Sequence, residues 1–103
     1  MLNAKCTRIE TGDKESLFVI DMKGHATGSV AICNAAGALV QSLCYWLREN
    51  GSEVLSMKIS PGDCVVRFVG GEREKAVFDM VRLGLIGLEQ KNNELVRVDC
   101  YDG

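Results

Sequence analysis

With 103 residues, 25% of them charged and 47% hydrophobic, the chain has the composition of an ordinary globular domain with one core. It is too short for two domains, so residues 1–103 are expected to form one unit. The formal net charge of −2, with lysines and arginines scattered rather than clustered, argues against direct nucleic-acid binding.

Residues 2–10 alternate loosely between apolar and polar and predict a first strand, closed by a turn at Thr11-Gly12-Asp13-Lys14. The run Leu17-Phe18-Val19-Ile20-Asp21-Met22 is the second strand, ending at Lys23-Gly24. A short loop, His25-Ala26-Thr27-Gly28, leads to Ser29, an N-cap residue type, and a long helix reaches about Glu49 before Asn50-Gly51 stops it. Glu53–Ile59 and Cys64–Val69 read as a hairpin about Ser60-Pro61-Gly62-Asp63, with Pro and Gly where a tight turn wants them. After Gly70-Gly71, a second helix with an acidic first turn runs from Glu72 to about Gln90. Asn92-Asn93 ends it, and Leu95–Cys100 forms a last strand. The order ββαββαβ predicts an α/β (α+β) two-layer sandwich, with a five-stranded, mostly antiparallel sheet and two helices.

No membrane span is expected: the longest apolar stretch, Val30 to Leu47, is interrupted by Asn34, Gln41 and Ser42. The N-terminal residues carry no apolar signal-peptide core, so the expected location is the cytoplasm. Five cysteines, an odd number, with no CxxC pair and a single histidine, point to neither a disulfide framework nor a metal site, and no cofactor is expected.

On a helical wheel, Ile32, Ala35, Ala36, Leu39, Val40, Leu43, Trp46 and Leu47 share an arc of roughly 140°, the expected core face. Asn34, Gln41 and Arg48 form a polar stripe opposite, while Cys33, Gly37 and Cys44 lie on the border. Cys33 thus combines access with a place in the helix's first turn, where unpaired backbone N–H groups favour a thiolate. His25, at the end of a strand on the same rim, is its candidate base. Thr27, Gly28 and Ser29 offer amides for an oxyanion, or are simply a loop and a cap. Asp21 would approach His25 only if the strand stayed regular to its end, and Asn34 is better read as part of the solvated stripe. The second helix is apolar over a wider angle than one sheet face usually covers, which predicts a homodimer, the alternative being deep burial within a compact monomer.

Gly24-His25-Ala26 followed by Ile32-Cys33-Asn34-Ala35-Ala36-Gly37-Ala38-Leu39 resembles the ribosomal-processing cysteine protease family, Prp. That family carries a GHA motif and then a hydrophobic-Cys-Ala-Ala-x-Ser-Ala-Leu motif opening a helix. The resemblance covers essentially the whole chain. It implies a catalytic dyad of His25 and Cys33 and a homodimer. It also implies endoproteolytic removal of a short N-terminal extension from a large-subunit ribosomal protein or a phage structural protein. The chain departs from the family pattern in a His–Cys interval shorter by about four residues, in Val30 where an Asp is usual, and in Gly37 where a Ser is usual. These departures leave a second reading open: a catalytically inactive relative serving as a dimeric peptide-binding or assembly module.

Overall fold

Alternation along the first strand becomes burial. In the computed structural model, which describes residues 1–103, β1 (Leu2–Gly12) turns Leu2, Ala4 and Cys6 into the core and Asn3 and Lys5 out. β2 (Glu15–Lys23) does the same with Ser16, Phe18, Ile20 and Met22. The first hairpin is tighter than expected. Thr11 and Gly12 belong to the strand, a bulge falls between Glu10 and Gly12, and Lys14 takes a left-handed φ of 59°.

Further along lie α1 (Val30–Glu49), β3 (Glu53–Ser60), β4 (Asp63–Gly70), α2 (Glu72–Lys91) and β5 (Val96–Asp102). The sheet order is β3-β4-β2-β1-β5; every pairing is antiparallel except β1 with β5, which is parallel. The expected two-layer α+β architecture is therefore the one observed. The last strand starts at Val96 rather than Leu95 and runs on to Asp102, because register with β1 carries it as far as Arg8.

Both helices pack on one face of the sheet, around Phe18, Phe68 and Phe78. Phe18 lies 5.1 Å from Phe68 and 5.0 Å from Phe78 between ring centroids. Each of these buried rings is worth about 1.5–3 kcal/mol of apolar transfer. α1 is capped by Ser29, whose hydroxyl accepts from the Ile32 amide at 3.3 Å. It buries Ala36, Val40, Leu43, Cys44 and Leu47. The wheel needs two corrections. Ala35 is exposed, and Cys44, placed on the border, is buried. The core stripe is narrower and rotated, because α2 rather than the sheet covers the flank carrying Leu39. At that crossing a Cβ on Gly84 would lie 2.9 Å from the Leu39 methyls. By length and composition α1 could cross a membrane, with a mean hydropathy of 1.5, contrary to the expectation from its polar interruptions; here its apolar stripe faces the sheet.

α2 begins at Gly71, where buried Glu74 does the capping. Its carboxylate accepts from the Gly71 amide (3.1 Å), the Ser52 hydroxyl (2.9 Å) and Arg73 Nε (3.1 Å). Burial by itself raises the Glu74 pKa. The three donors outweigh it and hold the carboxyl below its ordinary range. Phe78, Val81 and Leu85 face the core, while Met80 and Leu83 are 63% and 57% exposed on the opposite side.

Candidate active site

The β2 strand stops at Lys23 because Gly24 turns the backbone left-handed, with φ at +87°. The Gly24 amide then donates to the Gly62 carbonyl at 2.9 Å. This ties the end of β2 to the β3–β4 turn and places His25 directly beside that turn. Gly62, at φ +74°, is the left-handed residue of the Pro61-Gly62 turn. A Cβ on it would lie 2.5 Å from His25 Nε2 and 2.9 Å from Cε1. The Nε2 edge of the imidazole therefore lies against a bare backbone. It is exposed and makes no hydrogen bond with any protein group.

Cys33 is half-buried, one turn into α1. Its sulfur accepts from the Ala26 amide at 3.3 Å and lies 4.0 Å from the Ala26 carbonyl oxygen. Ala26 is itself buried, and its carbonyl also takes the Ser29 amide at 2.9 Å. Ala26 thus links the loop, the helix cap and the thiol. An N–H aimed at sulfur is what a thiolate would accept. Ser29 is corrected as an oxyanion donor, since its amide is used; those of Thr27 and Gly28 donate to no protein group.

His25 and Cys33 line the same cleft, of about 600 Å³, without a hydrogen bond between them. Its walls are α1 and the edge strand β3. Ile59 pairs with Cys64 and Met57 with Val66, so both point to the helix side of the sheet, yet they are 40% and 39% exposed. α1 stops short of the edge strand, and the gap is the cleft. Asn34 and Gln41, read as a solvated stripe, are part of its wall, as is Gly37. Leu2, Met22 and Cys64 line its apolar floor.

Asp21 does not approach His25. Alternation puts it on the outer face of the sheet, 3.0 Å from Lys23 Nζ. Lys23 also binds Asp63 at the cleft mouth, and Lys58 binds the other oxygen of that carboxylate. Hydrogen bonds from Lys23 and then Lys58 hold the Asp63 carboxyl below its ordinary range; those to Asp63 and then Asp21 hold Lys23 above its own. Among the other thiols, burial and then the neighbouring Cys100 push Cys6 up to about 12, and burial raises Cys44.

Sequence reasoning singled out His25 and Cys33, which the structure brings to one cleft, but gave no role in the site to Gly62 or to the backbone of Ala26. The Pro-Gly pair signalled a turn, and nothing in it signalled that a ring would lie on that turn. Ala26 carries its role through backbone atoms, which leave no mark on residue choice.

No model of a known protein family matches the chain, and no curated protein does. Solved structures do match. The essential ribosomal processing protease Prp from S. aureus, in complex with a covalently linked product peptide, aligns at a TM-score of 0.78 and 16% identity, over 97% of this chain and 99% of that one. Its complex with a substrate peptide aligns at 0.77, with 16% identity and the same coverage. SMU.848 from Streptococcus mutans aligns at 0.75 and 19% identity, over 100% of this chain and 96% of that one. At these identities the likeness is one of fold, and it extends over nearly every residue of the chain.

Proposed function

We propose that this chain is a divergent cytoplasmic member of the ribosomal-processing protease family, a cysteine endopeptidase with Cys33 as nucleophile and His25 as base. The observation that carries the reading is the shared cleft. It brings the one cysteine hydrogen-bonded by a loop amide and the only histidine to a space large enough for a peptide. In the reaction, His25 takes the thiol proton and the Cys33 thiolate attacks the scissile carbonyl. The free amides of Thr27 and Gly28 are the candidate donors to the resulting oxyanion. Collapse breaks the C–N bond, the amine leaves with the proton from His25, and water hydrolyses the thioester. The proposed substrate is a short N-terminal extension on a large-subunit ribosomal protein or a phage structural protein.

We further propose that the active form is a homodimer. Met80 and Leu83 lie on the side of α2 that no element of this chain covers.

The absence of a His25–Cys33 hydrogen bond favours a second reading, in which the cleft holds a peptide without cutting it. Incubation with precursor proteins bearing N-terminal extensions, followed by intact-mass analysis, separates the two. The protease reading requires a cleaved product from the native chain and none from Cys33→Ser. Binding without cleavage by the native chain supports the second reading.

A further inference from the structure

Two of the five cysteines stand directly opposite each other. Cys6 on β1 and Cys100 on β5 are register partners in the parallel pairing, although they lie 94 residues apart in sequence. In-register neighbours point to the same face of a sheet, so both side chains leave on the helix side. Adjacent strands run about 4.8 Å apart. That is inside the Cα separation of about 4.4–6.8 Å that a disulfide accepts. The register is held on both sides of the pair. Val96 to Asp99 match Leu2 to Lys5 before it, and past it the Gly103 amide donates to the Arg8 carbonyl at 2.8 Å. β5 has no neighbour on its other edge, which leaves it free to adjust toward β1 as a bond forms.

The two thiols differ in access. Along β5 the helix-side face passes from buried at Val96 to half-buried at Val98 and exposed at Cys100. Cys6 is only 1% exposed. Burial raises its pKa, and the neighbouring Cys100 raises it further, which fits two sulfurs within mutual reach. A reagent in solution therefore meets Cys100 first, and Cys6 meets Cys100. Cys44 and Cys64 are also neighbours, but both are buried, so neither offers an oxidant a way in. Neither Cys6 nor Cys100 lines the cleft.

We propose that Cys6 and Cys100 form an oxidative modification site, an open thiol with a shielded resolving partner, which hydrogen peroxide closes into a reversible disulfide stapling β5 to β1. The Cys100 thiolate attacks one peroxide oxygen and becomes a sulfenic acid. The O–O bond breaks, and the departing hydroxide leaves as water with the proton that the thiol gave up. The Cys6 sulfur then attacks the Cys100 sulfur. The S–S bond forms, the S–O bond breaks, and the hydroxyl leaves with the Cys6 proton as a second water. Two thiols lose two electrons, and one peroxide becomes two waters. The high pKa of Cys6 slows this second step, and its fixed position opposite Cys100 offsets that. A dithiol reductant reverses the bond by exchange. The staple closes a loop of almost the whole chain, the case in which a cross-link constrains the unfolded state most.

The test treats the native chain, Cys33→Ser and Cys100→Ser with hydrogen peroxide near neutral pH. Remaining thiols are blocked with N-ethylmaleimide, and the peptides are mapped by mass spectrometry without reduction. Cys33→Ser takes the cleft thiol out of the competition for oxidant. A Cys6–Cys100 cross-linked peptide should be the main intramolecular link in the native chain and in Cys33→Ser, and dithiothreitol should remove it. The oxidised chain should unfold at a higher denaturant midpoint than the reduced one. Cys100→Ser should show neither the link nor the shift. Cys100 carried on to sulfinic acid, or linked to a second copy, with Cys6 still free, overturns the proposal. So does a link that forms as fast in denaturant as in the fold, or one that leaves the midpoint unchanged or lower.

Discussion

The imidazole of His25 lies against Gly62 so closely that a single added carbon would sit 2.5 Å from its Nε2. The β3–β4 turn is thus part of the site, although it lies 37 residues from His25 in sequence and has no chemistry of its own. Gly62→Ala meets two obstacles, a left-handed φ of +74° and the ring itself. The expected cost is about 1–3 kcal/mol of stability, read from denaturant unfolding. Peptidase activity should fall further than the unfolded fraction explains, because the surviving fold must displace His25.

His25 is exposed and bonded to no protein group, so removing it leaves nothing unpaired. His25→Ala should keep stability within about 0.5 kcal/mol of the native chain. Its cleavage rate should drop roughly 10²- to 10⁴-fold, the usual worth of a positioned acid–base group. Cys33→Ser should fold equally well and cleave nothing. Thermal melts alongside a peptide assay check both.

Thiol labelling has a built-in reference. Cys100 is exposed and Cys33 half-buried, whereas Cys6, Cys44 and Cys64 are buried. With its pKa pushed up to about 12, Cys6 at pH 8 would be thiolate to only about one part in ten thousand. Alkylation at neutral pH should modify Cys33 first, Cys100 next, and the buried three only on unfolding. Equal rates at Cys33 and Cys100 would remove the case for an activated nucleophile.

Two buried groups each give stability a pH dependence. Glu74 is held below its model-compound value of 4.5 by Ser52, Gly71 and Arg73, so the folded state favours the carboxylate. Its contribution is complete above pH 4.5 and disappears as pH falls through the depressed folded value, where the native state must also take up the proton. Cys6 has the opposite sign. Its neutral thiol is favoured in the fold, so its contribution is complete below 9.0 and is lost as pH climbs from there toward about 12. Glu74→Gln should flatten the acid limb of a stability–pH curve and cost about 1 kcal/mol at neutral pH. Cys6→Ala should flatten the alkaline limb.

The open side of α2 should mediate self-association. Met80→Glu or Leu83→Glu places a charge where 63% and 57% of the side chain already faces solvent, so the single chain should fold normally. Sedimentation should show the native chain as a dimer and the variant shifted to monomer. A native chain that sediments as a monomer at all concentrations would discard the dimer proposal.

Most of the fold was legible because strand alternation, helix periodicity and Gly/Pro punctuation agree along this chain. Phe18, Ile20 and Met22 alternate and are buried; Ser29 looks like a cap and is one. Reading failed where long-range packing decided the outcome. Ala35 belongs to the apolar arc of α1 but stays exposed, while Cys44, on the border of that arc, is buried in the core. In the site, chemistry-bearing side chains were visible and their supports were not. Asn34 and Gln41 looked solvated because a wheel cannot show that the edge strand runs just beyond them.

The parallel pairing of β1 with β5 has a kinetic consequence. Leu2, on the floor of the cleft, donates its amide to the Leu95 carbonyl, and Arg8 reaches Asp102 across 94 residues of sequence. Both hairpins can form from neighbours during synthesis, but the strand beneath the cleft gains its second partner only when the far end of the domain arrives. Parallel pairing between strands so distant in sequence is intrinsically slow. A partly made copy would therefore hold His25 and Cys33 over an unfinished floor. Competence to bind would arrive with the last strand, not with the residues proposed to do the chemistry.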